Sequence, residues 1–579
     1  MFSFEIKDRD AGGRICNLII KNNKLETPIF LPVYNPNIPI ITPEEMIKEF
    51  NIKALMSNAY IIYKNEELRK EALNKGIHEV LNFNGTIFCD SGAYQMFRGE
   101  IKISQKEIVE FQEKIGTDVG VMLDVPSKNE SYEETKQSVL ETIERAKEWE
   151  KIKSSNNVLW EGVIQGGGFK DLVEYSCKKM REFNFDIFAV GIPPLLWKNY
   201  EFKSIALQGL VTKSNIPLNK PLHAFGIGHP IIFCFLVAIG YDIFDSASYA
   251  IYARDLRYIT EYGTKRIEKL EFLPCNCPIC SKYTIKEMKE MEENDKVKII
   301  AKHNLYTILK EINIIKQAIK ENSLWELCQI RARSHPKLLE ALIFLLKDNY
   351  DFFEKIEPIR KRRPIFYIGE ESIYRPEIIR AKNRVGTEII PNALNRTYPF
   401  QIVLPTNLKI FNFDKKEYSD LEKIRIIADY QFGRGIGEKI FSDKVKIEKS
   451  KNGRIKRIWD GNKLLATLRP RDGFFALRID GAKLLHKYTK PLRYRVVVID
   501  KEVKKIVSEG KNLFAKFIEK CDINIIPKEE VLIVDEGDNL LAVGEAILTG
   551  KEMLIFKRGI AVKTREGVQK SILEKSILN

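Results

Sequence analysis

Residues 86–94 read TIFCDSGAY, a short apolar run that ends on an acid and a glycine turn; SQKEIVEFQEKIG at 104–116 follows it with helical periodicity. The same phrase recurs on both sides. Upstream lie TPIFLPV (27–33) and KALMSNAY (53–60). Downstream come VGVMLDVPS (119–127), VLWEGVIQGGG (158–168), DIFAVGIPP (186–194), PLHAFGIGHP (221–230) and YDIFDSAS (241–248). Amphipathic segments such as SYEETKQSVLETIERAKEWEKI (131–152) separate the runs. Strand–helix alternation implies a parallel sheet. The number of runs fits an α/β fold, a (β/α)8 TIM barrel.

The polar residues of these runs are not scattered. Asp90, Asp124, Gln165, Gly191 and Asp245 stand at or just past the C-terminal ends of the expected strands. In a β/α barrel those ends converge on one face, where the loops build the active site. A single Asp after a strand can simply cap the next helix. Three carboxylates and a glutamine in one layer ask for another explanation. Two carboxylates on different strands suit glycosidic chemistry, one as nucleophile and one as proton donor and acceptor. Asp90 and Asp245 are the candidates. Asp124 and Gln165 could hydrogen-bond a purine edge, and Tyr94 could stack on its face. The same set would also serve a hydrolase or an aldolase-like enzyme.

Composition bounds the rest. A chain of 579 residues is too long for one ordinary domain. Its net charge of +15, from 94 Lys and Arg against 79 Asp and Glu, favours a polyanionic partner through a mixed-charge surface rather than a basic tail. The opening MFSFEIKDRD is charged, unlike a signal peptide, and the longest apolar run, IIFCFLVAIG (231–240), is too short to span a bilayer, so a cytoplasmic protein is expected, with no membrane partner. Nine cysteines in such a chain do not make a disulfide framework. Three of them crowd together: Cys275, Cys277 and Cys280 form C-x-C-x-x-C, with His303 downstream on a helix. Cys₃His is a set that closes a structural zinc shell, leaving no open position for catalysis. His335 is the alternative fourth ligand.

Beyond the barrel, a helical region is expected from about Ile285 to Glu354, with HNLYTILKEINIIKQAI and HPKLLEALIFLLKDNYDFF as amphipathic helices. The basic stretch RKRRP (360–364) reads as a domain boundary. After it the chain turns strand-rich, in PFQIVLP, GRIKRIW, KLLATLRP and YRVVVI. The last stretch reads as a compact β-barrel with a helix. The expected domains are a barrel with a zinc subdomain over 1–357, small α+β domains over 358–428 and 429–504, and the terminal barrel over 505–579.

DSGAYQ, the LDVPS strand end, VIQGG, FGIG and FDSASYAIYAR, followed by PCNCPIC and HNLY, resemble the tRNA-guanine transglycosylases, as does TPIFLPV. The resemblance runs over essentially the whole chain. The C-terminal extension, including EPIRKRRPIFYIG and a final segment similar to a PUA domain, resembles the archaeal branch. That branch exchanges guanine 15 of the tRNA D-loop for 7-cyano-7-deazaguanine (preQ0) on the route to archaeosine. The resemblance implies Asp245 as the nucleophile at C1′ and Asp90 as the acid/base. It puts Ser91, Tyr94, Asp124, Gln165 and Gly191 around the base. It also implies a homodimer. IPPLLW after Gly191 departs from the Val-rich segment expected there. Arg254 is a candidate phosphate contact, and Lys551, Lys557, Arg558, Lys563 and Arg565 offer basic groups around the terminal barrel. A non-catalytic tRNA-binding subunit and the paralogous archaeosine synthase are the other readings. Both catalytic Asp residues are present and the synthase's Cys–Lys–Pro–Tyr–Ser–His segment is not visible, which speaks against them.

Overall fold

Eight parallel strands realise the repeated phrase: β1 (Ile29–Pro32), β2 (Ala54–Asn58), β3 (Thr86–Asp90), β4 (Val119–Val121), β5 (Leu159–Ile164), β6 (Ile187–Val190), β7 (Leu222–Ala224) and β8 (Ile243–Ser246). Each pairs with its sequence neighbours, and β8 returns to β1 with Asp245 opposite Leu31. A parallel bridge between Val33 and Met56 joins β1 to β2, so the sheet closes into a barrel. The computed structural model describes residues 2–99, 103–385, 402–403 and 416–569.

The helices between strands start where the sequence supplies caps. Thr42 and Glu45 form a capping box on Pro43–Phe50, and Ser104 and Glu107 form another on Gln105–Lys114. Side chains on the barrel strands, among them Leu31, Ile87, Val121, Val163, Ala189 and Phe244, are buried because helices cover the outside and side chains fill the inside. At the N-terminal ends of the strands an antiparallel hairpin, Gly13–Ile20 with Asn23–Thr27, contributes Arg14. Its guanidinium is bidentate to Asp242, at 2.9 and 2.8 Å, just before β8. That fully buried fork holds the end of the barrel opposite the one carrying Asp245.

The chain forms two compact units. The first holds the barrel, continues through Ile319 and includes Leu327–Leu342. In the expected helical region lie Ile285–Glu290, Glu293–Glu321, Leu324–Ala332, Pro336–Ile343 and Tyr350–Glu354. The second unit takes Arg9–Gly12, Lys320–Glu326 and Ile343 onward. It contains a four-stranded antiparallel sheet from Lys446–Lys449 to Phe475–Leu477, and a six-stranded sheet that includes Arg495–Val497, Glu530–Val534, Leu540–Ala546 and Ile560–Gly567. Tyr430, Phe441, Ile458, Phe475, Leu485 and Leu532 share one core there. Of PFQIVLP, only Ile402–Val403 lies within the described residues, as a strand paired with Ile365–Phe366. The RKRRP stretch lies inside this second unit, where Lys361 is fully buried among Asp10, Glu357 and Glu377.

Candidate active site and metal centre

The C-terminal strand ends gather the polar residues that the sequence singled out. Asp90 closes β3, and Asn58, its register partner at the end of β2, donates Nδ2–H to Asp90 Oδ2 at 2.7 Å. Asn58 is itself held, because its Oδ1 caps the helix Ala59–Lys64 through the Ile61 N–H at 2.9 Å. Burial, then the Asp124 carboxylate, with smaller contributions from Asp245 and Glu161, pushes Asp90 up to about 7 against a Gly92 N–H. Such a carboxyl carries a proton near neutrality and can give it away.

Asp124 and Gln165 meet directly: Gln165 Nε2 donates to Asp124 Oδ2 at 2.6 Å, and both are buried. Burial pushes Asp124 up to about 6, opposed by the Gln165 donor and by Arg145. Arg145 also donates to the Asp124 backbone carbonyl at 3.0 Å, fixing the strand end. Gly191 lies under Gln165, where a Cβ would sit 2.3 Å from Nε2. Only glycine lets the amide lie flat across that backbone. Gln208 donates to the Gly191 carbonyl at 2.9 Å. Ser91 Oγ is buried and has no hydrogen-bond partner among the described residues, as a group that meets a ligand would. Tyr94, on the 3₁₀ turn Ala93–Arg98, is 53% exposed and ready to cover a planar group.

Asp245, on β8, is 7% exposed. Its Oδ1 accepts the Gly226 N–H at 2.9 Å and lies 3.0 Å from His223 Nε2. Both contacts use one oxygen, leaving Oδ2 without a protein partner among the described residues. The FGIG turn is tight for a reason: a Cβ at Gly228 would fall 2.1 Å from the Ser246 Cβ, and Ser248 Oγ donates to the Gly228 carbonyl.

Three participants escaped the sequence reading. Asn58, Glu161 and His223 sit on barrel strands rather than in the motif turns. Glu161 in LWEGVI and His223 in PLHAFG are ionisable groups inside otherwise apolar runs, and that was the available signal. His229, in the same loop as FGIG, is different. It caps Pro230–Ile239 through the Ile231 N–H, and burial pushes it down to about 4, so it stays neutral.

The three cysteines and His303 come together, with their ligand atoms all within 4.8 Å of one another. Cys277 Sγ and Cys280 Sγ lie 3.5 and 3.4 Å from His303 Nδ1. A tetrahedral ion with bonds of roughly 2.3 Å to sulfur and 2.0 Å to nitrogen requires an S···N edge of about 3.5 Å. The donors fit a metal ion. His303 Nε2 contacts the Ile259 carbonyl at 2.9 Å, which leaves Nδ1 for the ion, and Tyr258 stacks on the ring at 3.6 Å. His335 packs on Tyr200 and Phe202 instead.

Of the basic candidates, Arg254, Lys557 and Arg558 are exposed. Arg254 reaches the Ile38 carbonyl at 3.2 Å. Lys551 and Lys563 are exposed too, whereas Arg565 is half-buried and grips the buried Glu530 through its two terminal guanidinium nitrogens. Among the described residues, no helix is long and apolar enough to cross a membrane.

The family model described as queuine tRNA-ribosyltransferase matches residues 8–337. The patch-forming domain C2 of tRNA-guanine transglycosylase matches 422–491, and the PUA domain matches 495–568. The chain is 43% identical to a Pyrococcus furiosus protein named tRNA-guanine(15) transglycosylase, over 98% of each chain. A Thermococcus kodakarensis protein of the same name is 42% identical, over 98% of this chain and all of its own. One from Methanocaldococcus jannaschii is 36% identical, over 98% of this chain and 99% of its own.

Proposed function

The chain belongs to the tRNA-guanine(15) transglycosylase family, and from that premise we propose that it exchanges guanine 15 of the tRNA D-loop for preQ0 by double displacement at C1′, as a step toward archaeosine. The observation that carries this is the asymmetry of the two carboxyl groups. Asp245 is held through one oxygen with the other unpartnered among the described residues, as a nucleophile requires; Asp90 is pushed up to about 7, as an acid requires.

In the first step Asp245 Oδ2 attacks C1′. The C1′–O bond forms as the C1′–N9 bond breaks, and Asp90 gives its proton to the departing guanine. In the second, the incoming base attacks C1′, the ester electrons return to Asp245, and Asp90 takes the proton. Asp124, Gln165, Ser91 and the Gly191 backbone read the base edge, and Tyr94 stacks on it. Reaching a stacked and paired guanine requires unfolding the D-loop around it. The PUA segment, with Lys557 and Arg558, and Arg254 of the barrel supply phosphate contacts that help drive this. Residues 1–357 form the catalytic part, 358–428 and 429–504 the intervening domains, and 505–579 the RNA-binding end. Cys275, Cys277, Cys280 and His303 hold one structural Zn²⁺, which organises this segment and takes no part in the chemistry. The enzyme works as a cytoplasmic homodimer.

The test is an exchange assay on one transcript with its D-loop guanine or its anticodon guanine replaced in turn. Loss of incorporation only with the D-loop change is expected. Incorporation that survives it but fails with the anticodon change would overturn the assignment.

A further inference from the structure

Glu161, His223 and Asp245 lie on three barrel strands, β5, β7 and β8, and make one line of charge through the interior. Glu161 Oε1 is 2.9 Å from His223 Nδ1, and both side chains are fully buried. His223 Nε2 is 3.0 Å from Asp245 Oδ1, off the line that its N–H would take, so this contact is an ion pair rather than a directional hydrogen bond. Phe88 and Phe225 stand edge-on to the imidazole and bring no charge.

We infer that His223 is a positioning residue, an imidazolium held by Glu161 that stabilises the Asp245 carboxylate as the leaving group of the second displacement. The inference rests on Asp245 being the nucleophile. Before attack, two carboxylates flank one cation. When Asp245 becomes a neutral ester, a histidine paired with Asp245 alone would be left as an isolated buried cation, which is costly. Glu161 keeps it in a neutral pair through the covalent state. When the incoming base attacks C1′ and the C1′–O bond breaks, the returning electron pair on Asp245 finds the imidazolium already in place. The carboxylates on both sides also push His223 up to about 9 despite its burial, so the cation persists at neutral pH.

Glu161 and His223 therefore act in opposite senses on the covalent adduct. Labelled tRNA is turned over with guanine, quenched in denaturant and resolved as protein-bound and free RNA. His223→Gln keeps an amide nitrogen at the Nε2 position without the charge. It slows ester breakdown more than formation, and the bound fraction should rise roughly tenfold, the scale of one charged contact. Glu161→Gln leaves the cation alone in the ester state, and the bound fraction should fall by a similar factor. A parallel fall in both variants that tracks activity overturns the inference and leaves Asp245 untouched. An adduct formed by Asp245→Ala refutes the nucleophile reading instead. Should either variant fail to fold, ¹⁵N-histidine spectra of the wild-type enzyme decide the matter. His223 must appear doubly protonated at pH 7.5, and a neutral imidazole there overturns the inference.

Discussion

Two clusters of buried charge, one in each unit, resemble each other in composition and differ in what they leave open. In the second unit Lys361 and Arg375 bind Asp10, Glu326, Glu357 and Glu377. Lys361 Nζ is 3.1 Å from Asp10 and 3.0 Å from Glu377, and Trp325 Nε1 donates to Glu357 at 3.1 Å. The side chains of Lys361, Asp10, Glu357 and Glu377 have no exposure at all. At the barrel mouth, Glu161 and Asp245 flank the His223 imidazole, Asp124 stands close enough to Asp90 to raise its pKa, and the cluster reaches solvent through Asp90. Both clusters contain strongly shifted carboxyl groups: Glu357 is pushed up to about 7 by burial and by Glu377, as Asp90 is by burial and Asp124. Perturbed acidity alone therefore does not mark a catalytic centre. Access to solvent, and a carboxylate oxygen of Asp245 with no protein partner among the described residues, set the barrel mouth apart.

The largest effect should come from removing that oxygen. Asp245→Ala is expected to lower guanine exchange by at least about 10³-fold while the protein stays folded, measured by labelled-guanine release and circular dichroism. Wild-type rates would end the proposed asymmetry. The counterpart in the second unit is Lys361→Met, which strips three buried carboxylates of their shared cation. A loss of about 3–5 kcal/mol in unfolding free energy is expected, read in a denaturant titration. A change within about 0.5 kcal/mol would mean that the hub is incidental.

A third difference is pH. With its acidity set near 7, Asp90 holds its proton below that pH and loses it above, so single-turnover adduct formation should fall as pH rises through about 7. Asp90→Asn should be slow at every pH and lack that limb; retention of the limb would move the acid elsewhere. Cys275→Ser or chelation of the metal should lower the melting temperature while leaving the pH limb of the surviving enzyme in place, because the ion stands outside the chemistry. The smallest effect belongs to Arg254. Arg254→Ala should raise KM for tRNA several-fold and reduce the salt dependence of binding by about one phosphate, with kcat unchanged.

Much of the barrel was legible because its signal is local. Each strand is a short apolar run closed by a turn, and each helix begins at a capping residue such as Thr42 or Ser104. The strand-end residues followed from the same reading, since a parallel barrel sends all of those ends to one face. Cys275, Cys277 and Cys280 were legible for a similar reason: spacing within six residues brings three thiols to one place, where they could share an ion. Lys361 was not. Four of the five residues in RKRRP are basic, which reads as a solvated linker, yet Glu357 four residues before it and the distant Asp10 and Glu377 enclose that lysine. Arg565 misled in the same way, because Glu530, thirty-five residues away, claims it.

The sequence by itself determined the alternation of strands and helices, the layer of polar strand ends, the Cys₃His cluster and the family. These depend on neighbours a few residues apart or on motifs preserved in order. Only the tertiary structure decided which ionisable groups meet. His223 and Glu161 are 62 residues apart and His229 is only six residues beyond His223, yet His223 joins Asp245 and His229 caps a helix. Barrel closure places β5, β7 and β8 around one interior. Exclusion of water there turns side chains that would be indifferent in a solvated chain into a coupled set of charges.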